Sequence, residues 1–220
     1  MTSPSAIRDP DLGSKGALNP LHPTKARLIQ AVQQLMEQQA LEHITADMVL
    51  EASGVSKGSL YHHFEDYSQL VEEVLVARFV AGMDLTIAAV GKVARESHSK
   101  QEALVALHLL IAEMNAASRA AVRLERARLL GATQANPRLK KRLGQEQSRL
   151  TNGLTDLVIY FQGKGWARQD LDARAIAVLV QAYTLGKGVD DIVDEPMSET
   201  SWNHLINQVV GLVFAVSPGD

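Results

Sequence analysis

From Thr24 onward the apolar residues of this chain recur every three or four positions, and no segment sustains an alternation in twos. That periodicity excludes a sheet-based fold and predicts an all-α protein. In "TKARLIQAVQQLMEQQAL" the repeat falls on Leu28, Val32, Leu35, Met36 and Gln39 or Ala40, with Ile29 beside them, which gives an amphipathic helix. Thr24, directly after Pro23, is placed to cap it. Composition agrees with helix: aromatic residues make up only 5%, while 46% of the 220 residues are apolar and can fill a core.

Three further helices are predicted before residue 84. Thr45 opens the short "ADMVLEAS", whose apolar face is Val49, Leu50 and Ala52. Gly54 ends it in a left-handed conformation. Ser56 caps "KGSLYHHF", and Asp66 caps "YSQLVEEVLVARFVAGM" over 66–83. Longer helices follow over 101–119, 119–132, 136–165, 170–193 and 198–216, with Pro137 suited to a first turn. Residues 1–23 read as a flexible arm that lacks a signal peptide's apolar centre, with Arg8 and Lys15 balanced by Asp9 and Asp11. No 18-residue apolar run is expected, and hence no membrane span.

The segment Thr45–Phe64 carries the functional signal. Leu60 and Phe64 lie four apart and face inward together, while Val55 plugs the corner between two helices. Lys57, Gly58, Ser59, Tyr61, His62 and His63 are left on the start and outer faces. This is a helix-turn-helix: a buried corner and an exposed helix narrow enough for the major groove of DNA. Thr45 and Ser56 set hydroxyls at helix starts, where phosphates bind. Lys57 can meet a phosphate or a guanine edge, and Gly58 lets the backbone approach closely. Tyr61 and His62 offer hydrogen bonds to phosphate and apolar contact to thymine methyls.

"GVSKGSLYHHF" resembles the signature of the TetR family of bacterial transcriptional regulators, with Thr45 at that family's usual opening Thr. "ANPRLKKRL" and "GKGWARQDLDARAIAVLVQAYTLGKG" are similar to its loosely patterned C-terminal half, so the resemblance spans Thr24 to Val216. It implies nine or ten helices: a tri-helical, homeodomain-like DNA-binding domain over 24–70, then a helical ligand-binding and dimerisation domain over 71–220. It further implies a homodimer on a palindromic operator, a small-molecule inducer in the C-terminal helices, and a bacterial cytoplasmic setting. Ala40 departs from the pattern's Gly, Leu50 from its small Ala, and Tyr67 from its phosphate-contacting Lys. Tyr67 is therefore expected to offer a hydroxyl to the phosphate without a charge.

Charge qualifies the DNA reading. Net charge is −3, and between Pro20 and Leu70 only Lys25, Arg27 and Lys57 are basic, against six acids. DNA affinity rests largely on neutralised phosphates, so a shallow salt dependence is expected unless the arm contributes.

Other chemistries find little support. His62 and His63 are adjacent and point about 100° apart on a helix, so they do not chelate one ion. The chain has no cysteine, which excludes disulfides, thiol catalysis and thiolate metal sites. Neither "GKG" has a phosphate loop's spacing, and no nucleophile–base pair stands out. No cofactor, metal or catalytic residue is expected.

In the C-terminal half, Arg119–Arg149 holds nine basic residues and two acids. Arg119 or Arg123 could turn inward toward an anionic ligand; otherwise the run is a solvated face. Ligand-pocket candidates are His108, Ile111, Met114, Asn115, Arg123, Tyr160 with Phe161, Gln181 and Tyr183, with ordinary core packing as the alternative for each. "IAVLVQAYTLG" and "LINQVVGLVFAV" are more apolar than free surface helices, and pairing helices 172–193 and 200–216 between two subunits would cover them. The expected function is a ligand-responsive DNA-binding regulator, a repressor released by its inducer. Two readings stand beside it: a DNA-binding regulator controlled by a protein partner, and a small-molecule-binding protein with weakened DNA binding.

Overall fold

The computed structural model describes residues 22–215. Nine α-helices run along these residues, with no strand among them. They divide into two compact units, 22–82 and 83–215. The arm expected over residues 1–23 lies almost wholly outside the described residues. The boundary expected at 70/71 falls inside a continuous helix.

The first unit contains α1 (Pro23–Met36), α2 (Ala46–Ser53), α3 (Lys57–His63) and the start of α4 (Tyr67–Glu96). Its core is Leu28, Ala31, Val32, Ile44, Val49, Val55, Leu60, Phe64, Leu70 and Val74, all buried. Each fully buried Leu or Phe among them contributes about 1.5–3 kcal/mol relative to exposure. α1 begins two residues earlier than expected from a cap at Thr24. Its cap is His22, whose Nδ1 accepts the Thr24 N–H at 3.2 Å, and Pro23 supplies the pre-set first turn. Val49 is buried on α2 and Leu50 packs partly against the core, but Ala52 is exposed, because α2 makes barely two turns and presents a narrow face.

α4 extends 30 residues, well past the expected end at Met83. By length and composition it is apolar enough to cross a membrane, contrary to the expectation that the chain holds no such run. Its apolar residues have local employment at both ends. Leu70 and Val74 belong to the first unit's core, and Thr86 and Val90 line a cavity of the second.

The second unit adds α5 (Lys100–Asn115), α6 (Ala120–Ala132), α7 (Pro137–Gly163), α8 (Ala173–Gly186) and α9 (Glu199–Val213). Ser99, Asn136, Asp172 and Ser198 cap α5, α7, α8 and α9 through side-chain oxygens. α7 buries Leu139, Leu143, Leu150, Leu154, Leu157 and Phe161, one stripe at helical spacing, and packs along α8. α5 lies against α9, and α6 against α8 and the short turn 187–189. Gly153 of α7 admits Ile87 of α4: a Cβ there would stand 3.1 Å from the Ile87 side chain.

Candidate nucleic-acid interface and ligand cavity

The helix-turn-helix is built by local capping. Thr45 Oγ1 accepts the Met48 N–H at 3.4 Å and starts α2. Gly54 closes α2 at φ 61°, a left-handed conformation that an L side chain occupies at a cost of about 1–2 kcal/mol. Val55, 7% exposed, fills the corner. Ser56 then caps α3, its Oγ accepting the Ser59 N–H at 3.2 Å while its hydroxyl donates to Ser59 Oγ at 3.0 Å. Leu60 and Phe64 anchor the inner face of α3. The outer face shows Lys57, Gly58, Tyr61 and His62 to solvent, with Ser59 half-buried beside them.

The residues behind this edge form a brace. Asp66 Oδ1 accepts the Gln69 N–H at 2.6 Å, and Gln69 Oε1 accepts the Glu65 N–H at 2.6 Å, a reciprocal cap that gives Asp66 its role before α4. Tyr67 differs from expectation. It is half-buried against the core, and its hydroxyl donates to the Ile44 carbonyl at 2.8 Å. Burial raises its pKa. Its one proton is committed inside the unit, so a donated bond to phosphate requires that contact to break.

The sparse cations of the unit are also partly committed. Arg27 Nη2 donates to the Ser53 carbonyl at 2.6 Å, tying α1 to the end of α2. The Lys25 ammonium sits 5.1 Å from the centre of the Phe64 ring. Lys57 is exposed at the start of α3. His22, His62 and His63 meet at the other end of α3, with the rings of His22 and His63 4.5 Å apart and those of His62 and His63 5.1 Å apart. Desolvation, then the neighbouring His22, His62 and Lys25, lower the His63 pKa.

The second unit holds a cavity of about 110 Å³, partly open to solvent, among α4, α5, α7, α8 and α9. Ile111, Met114 and Tyr183 line it, as does Phe161. Burial pushes the Tyr183 phenol up to about 12. The remaining candidates are placed elsewhere. Asn115 is buried, its Nδ2 donating to the Ile111 carbonyl at 2.9 Å while its Oδ1 has no partner. His108 is half-buried with an unpartnered Nε2. Gln181 bonds Gln147, the Thr151 hydroxyl and the Ala177 carbonyl, stitching α7 to α8. The Lys164 ammonium lies 4.7 Å from the centre of the Tyr160 ring.

Arg123 does turn inward, but to an internal anion. Its guanidinium makes two hydrogen bonds to Asp191, at 2.5 and 2.8 Å, and two more to the Met114 and Ala116 carbonyls. Lys187 Nζ reaches the same carboxylate at 3.2 Å. Arg119 is exposed and pairs with Glu113 at 3.5 Å. Within the basic run, Arg142 and Arg149 pair with Glu146, and Arg149 also with Asp84. Sequence reasoning missed most of the cavity wall, including Leu107, Leu154, Leu157, Val210, Val213 and Phe214. The continuous apolar face of α7 was the available signal.

Val178 and Leu179 on α8, Val189 and Ile192 after it, and Leu205 and Leu212 on α9 leave large apolar surfaces exposed.

Residues 22–74 match the model of the bacterial regulatory proteins of the tetR family. Solved structures share the fold over nearly the whole chain. Salmonella enterica GusR is 19% identical, with a TM-score of 0.59, covering 91% of this chain and 100% of that one. A TetR transcription regulator from Haloarcula marismortui is 12% identical at a TM-score of 0.62, covering 87% and 98%. The fatty acid degradation regulator FadR from Bacillus halodurans is 19% identical at 0.57, covering 86% and 95%. No curated protein sequence matches the chain.

Proposed function

From its TetR-family helix-turn-helix and fold, we propose that this chain is a DNA-binding transcriptional regulator that holds a palindromic operator as a homodimer and releases it when a small molecule fills the cavity. The observation that carries the reading is the exposed edge Lys57–His62, set on a helix that Leu60 and Phe64 fix to the core. Its width and chemistry suit a major groove. The contacts proposed are Thr45, Ser56, Lys57, Gly58, Ser59, Tyr61 and His62.

The cavity and α4 support the response to ligand. Thr86 and Val90 of α4 stand in the cavity wall, and the same helix starts at Tyr67, bonded into the core beneath the reading helix. A ligand that favours one position of α4 shifts the spacing of two reading helices away from about 34 Å, one turn of DNA. A ligand equally at home in both states shifts nothing. The exposed apolar residues of α8 and α9 support a twofold four-helix contact between subunits. Such a protein works in the bacterial cytoplasm, and no catalysis is assigned to it.

Selection from random duplexes by the purified protein tests the reading. It predicts two inverted half-sites centred about one helical turn apart. Lys57→Ala should weaken binding across all selected sequences and reduce the salt slope by about 1. If selection enriches no sequence, the reading fails.

A further inference from the structure

We propose that the effector is an uncharged, hydrocarbon-rich molecule about the size of one small substituted ring. The inference rests on the regulator reading above and names the ligand class of its cavity. The wall is aliphatic and aromatic, built from residues such as Leu107, Ile111, Leu154, Phe161, Val210 and Phe214. Thr86 and Tyr183 are the only hydroxyl-bearing residues among those that line it, the lining surface is almost wholly apolar, and no charged side chain lines it. Burial holds the Tyr183 phenol at about 12, so it stays protonated at neutral pH.

An anion would need a cation, and the two buried cations among the described residues of this unit, Arg123 and Lys187, are committed. Arg123 holds Asp191 and two backbone carbonyls, and Lys187 holds the same carboxylate. A carboxylate brought into such a wall would be buried without a partner, which is strongly unfavourable. Size sets the second limit. Drug-sized ligands occupy roughly 300–1,000 Å³. A dry cavity of about 150 Å³ with comparable aliphatic and aromatic walls takes benzene. At about 110 Å³ this cavity is of that order.

Titration calorimetry of the full chain at pH 7 with benzene, toluene, ethylbenzene and propylbenzene, and with benzoate and phenylacetate, tests the inference. Affinity should rise about fourfold per added methylene, following the hydrophobic transfer increment, until the cavity is full, and then stop rising. Each carboxylate should bind at least about a hundredfold more weakly than the neutral compound of matching length. Ala177→Leu and Val210→Phe, each narrowing the cavity from a different helix, should lower toluene affinity tenfold or more. Circular dichroism reports whether each variant is folded, and the titration series decides alone if neither is. Carboxylates binding as tightly as their neutral counterparts, or hydrocarbons that do not bind, overturn the proposal. A selected operator without hydrocarbon binding removes this inference and spares the regulator reading. Hydrocarbon binding without any selected operator removes the regulator reading, and the effector role with it.

Discussion

Replacing Arg123 with Met removes a buried cation and keeps most of its stem. The Arg123 and Asp191 side chains are each 4% exposed, and the guanidinium supplies four hydrogen bonds. Without it, Asp191 keeps only Lys187 at 3.2 Å, and the Met114 and Ala116 carbonyls lose a donor. Breaking a buried pair from one side costs about 3–5 kcal/mol. The surviving Lys187 contact argues for the lower end, about 3 kcal/mol. For a chain of this size that corresponds to a melting shift of roughly 6–12 °C, confined to the transition of residues 83–215. Removing Asp191 as well does not restore stability, since Lys187 is then buried alone, its side chain 3% exposed. Restoration requires all three changes together, Arg123→Met, Asp191→Leu and Lys187→Met. Far-ultraviolet circular dichroism melts of the single, double and triple variants give the cycle. A single variant that melts within about 2 °C of the parent refutes the reasoning. A variant of parental stability that has lost ligand binding would instead make Arg123 a ligand contact.

Gly54→Ala places a Cβ at φ 61° and 3.3 Å from Arg27 Nη2, and should lower stability in urea by about 1–2 kcal/mol. Tyr67→Phe leaves the Ile44 carbonyl without its side-chain donor and should cost about 1 kcal/mol by the same assay. If Tyr67 acts through phosphate rather than through this brace, DNA affinity falls while urea stability does not. His63 titrates below its ordinary value in the folded state, so the unfolded chain binds more protons just below that value. Stability is therefore full above about pH 6.5 and declines on acidification below it, which urea midpoints from pH 7.5 to 5.5 should show. Asp191, held low chiefly by its Arg123 hydrogen bond, contributes stability that is lost only in a separate window, as pH falls below about 4.

What the sequence revealed was the local part of the structure. Gly54, Ser56 and Asp66 act within three or four residues of themselves, so their roles follow from spacing and capping chemistry. Leu60 and Phe64 likewise share one helical face. The contacts that were not legible join distant positions. Arg123 and Asp191 lie 68 residues apart, and Tyr67 finds the Ile44 carbonyl across 23. The run "DLTIAAVGKVARE" gave no sign that α4 continues to Glu96, because its glycine and β-branched residues weaken helix propensity while packing against α7 sustains it. The cavity was sought through polar residues such as His108, Asn115 and Gln181. Its wall is almost wholly aliphatic, and an aliphatic wall reads in sequence like any core.

The committed positions of Lys25 and Arg27 bear on how such a protein finds its site in a chromosome. Attachment to arbitrary DNA comes from cations that displace counterions, and two of the three in residues 22–70 already serve the scaffold. A DNA-binding regulator built this way, without a contribution from Arg8 and Lys15, would be weakly retained by the vast excess of unrelated sequence. It would travel mainly through solution rather than by long slides along the duplex. Few copies would be titrated away by decoys, and occupancy of the target would follow the number of free molecules almost directly.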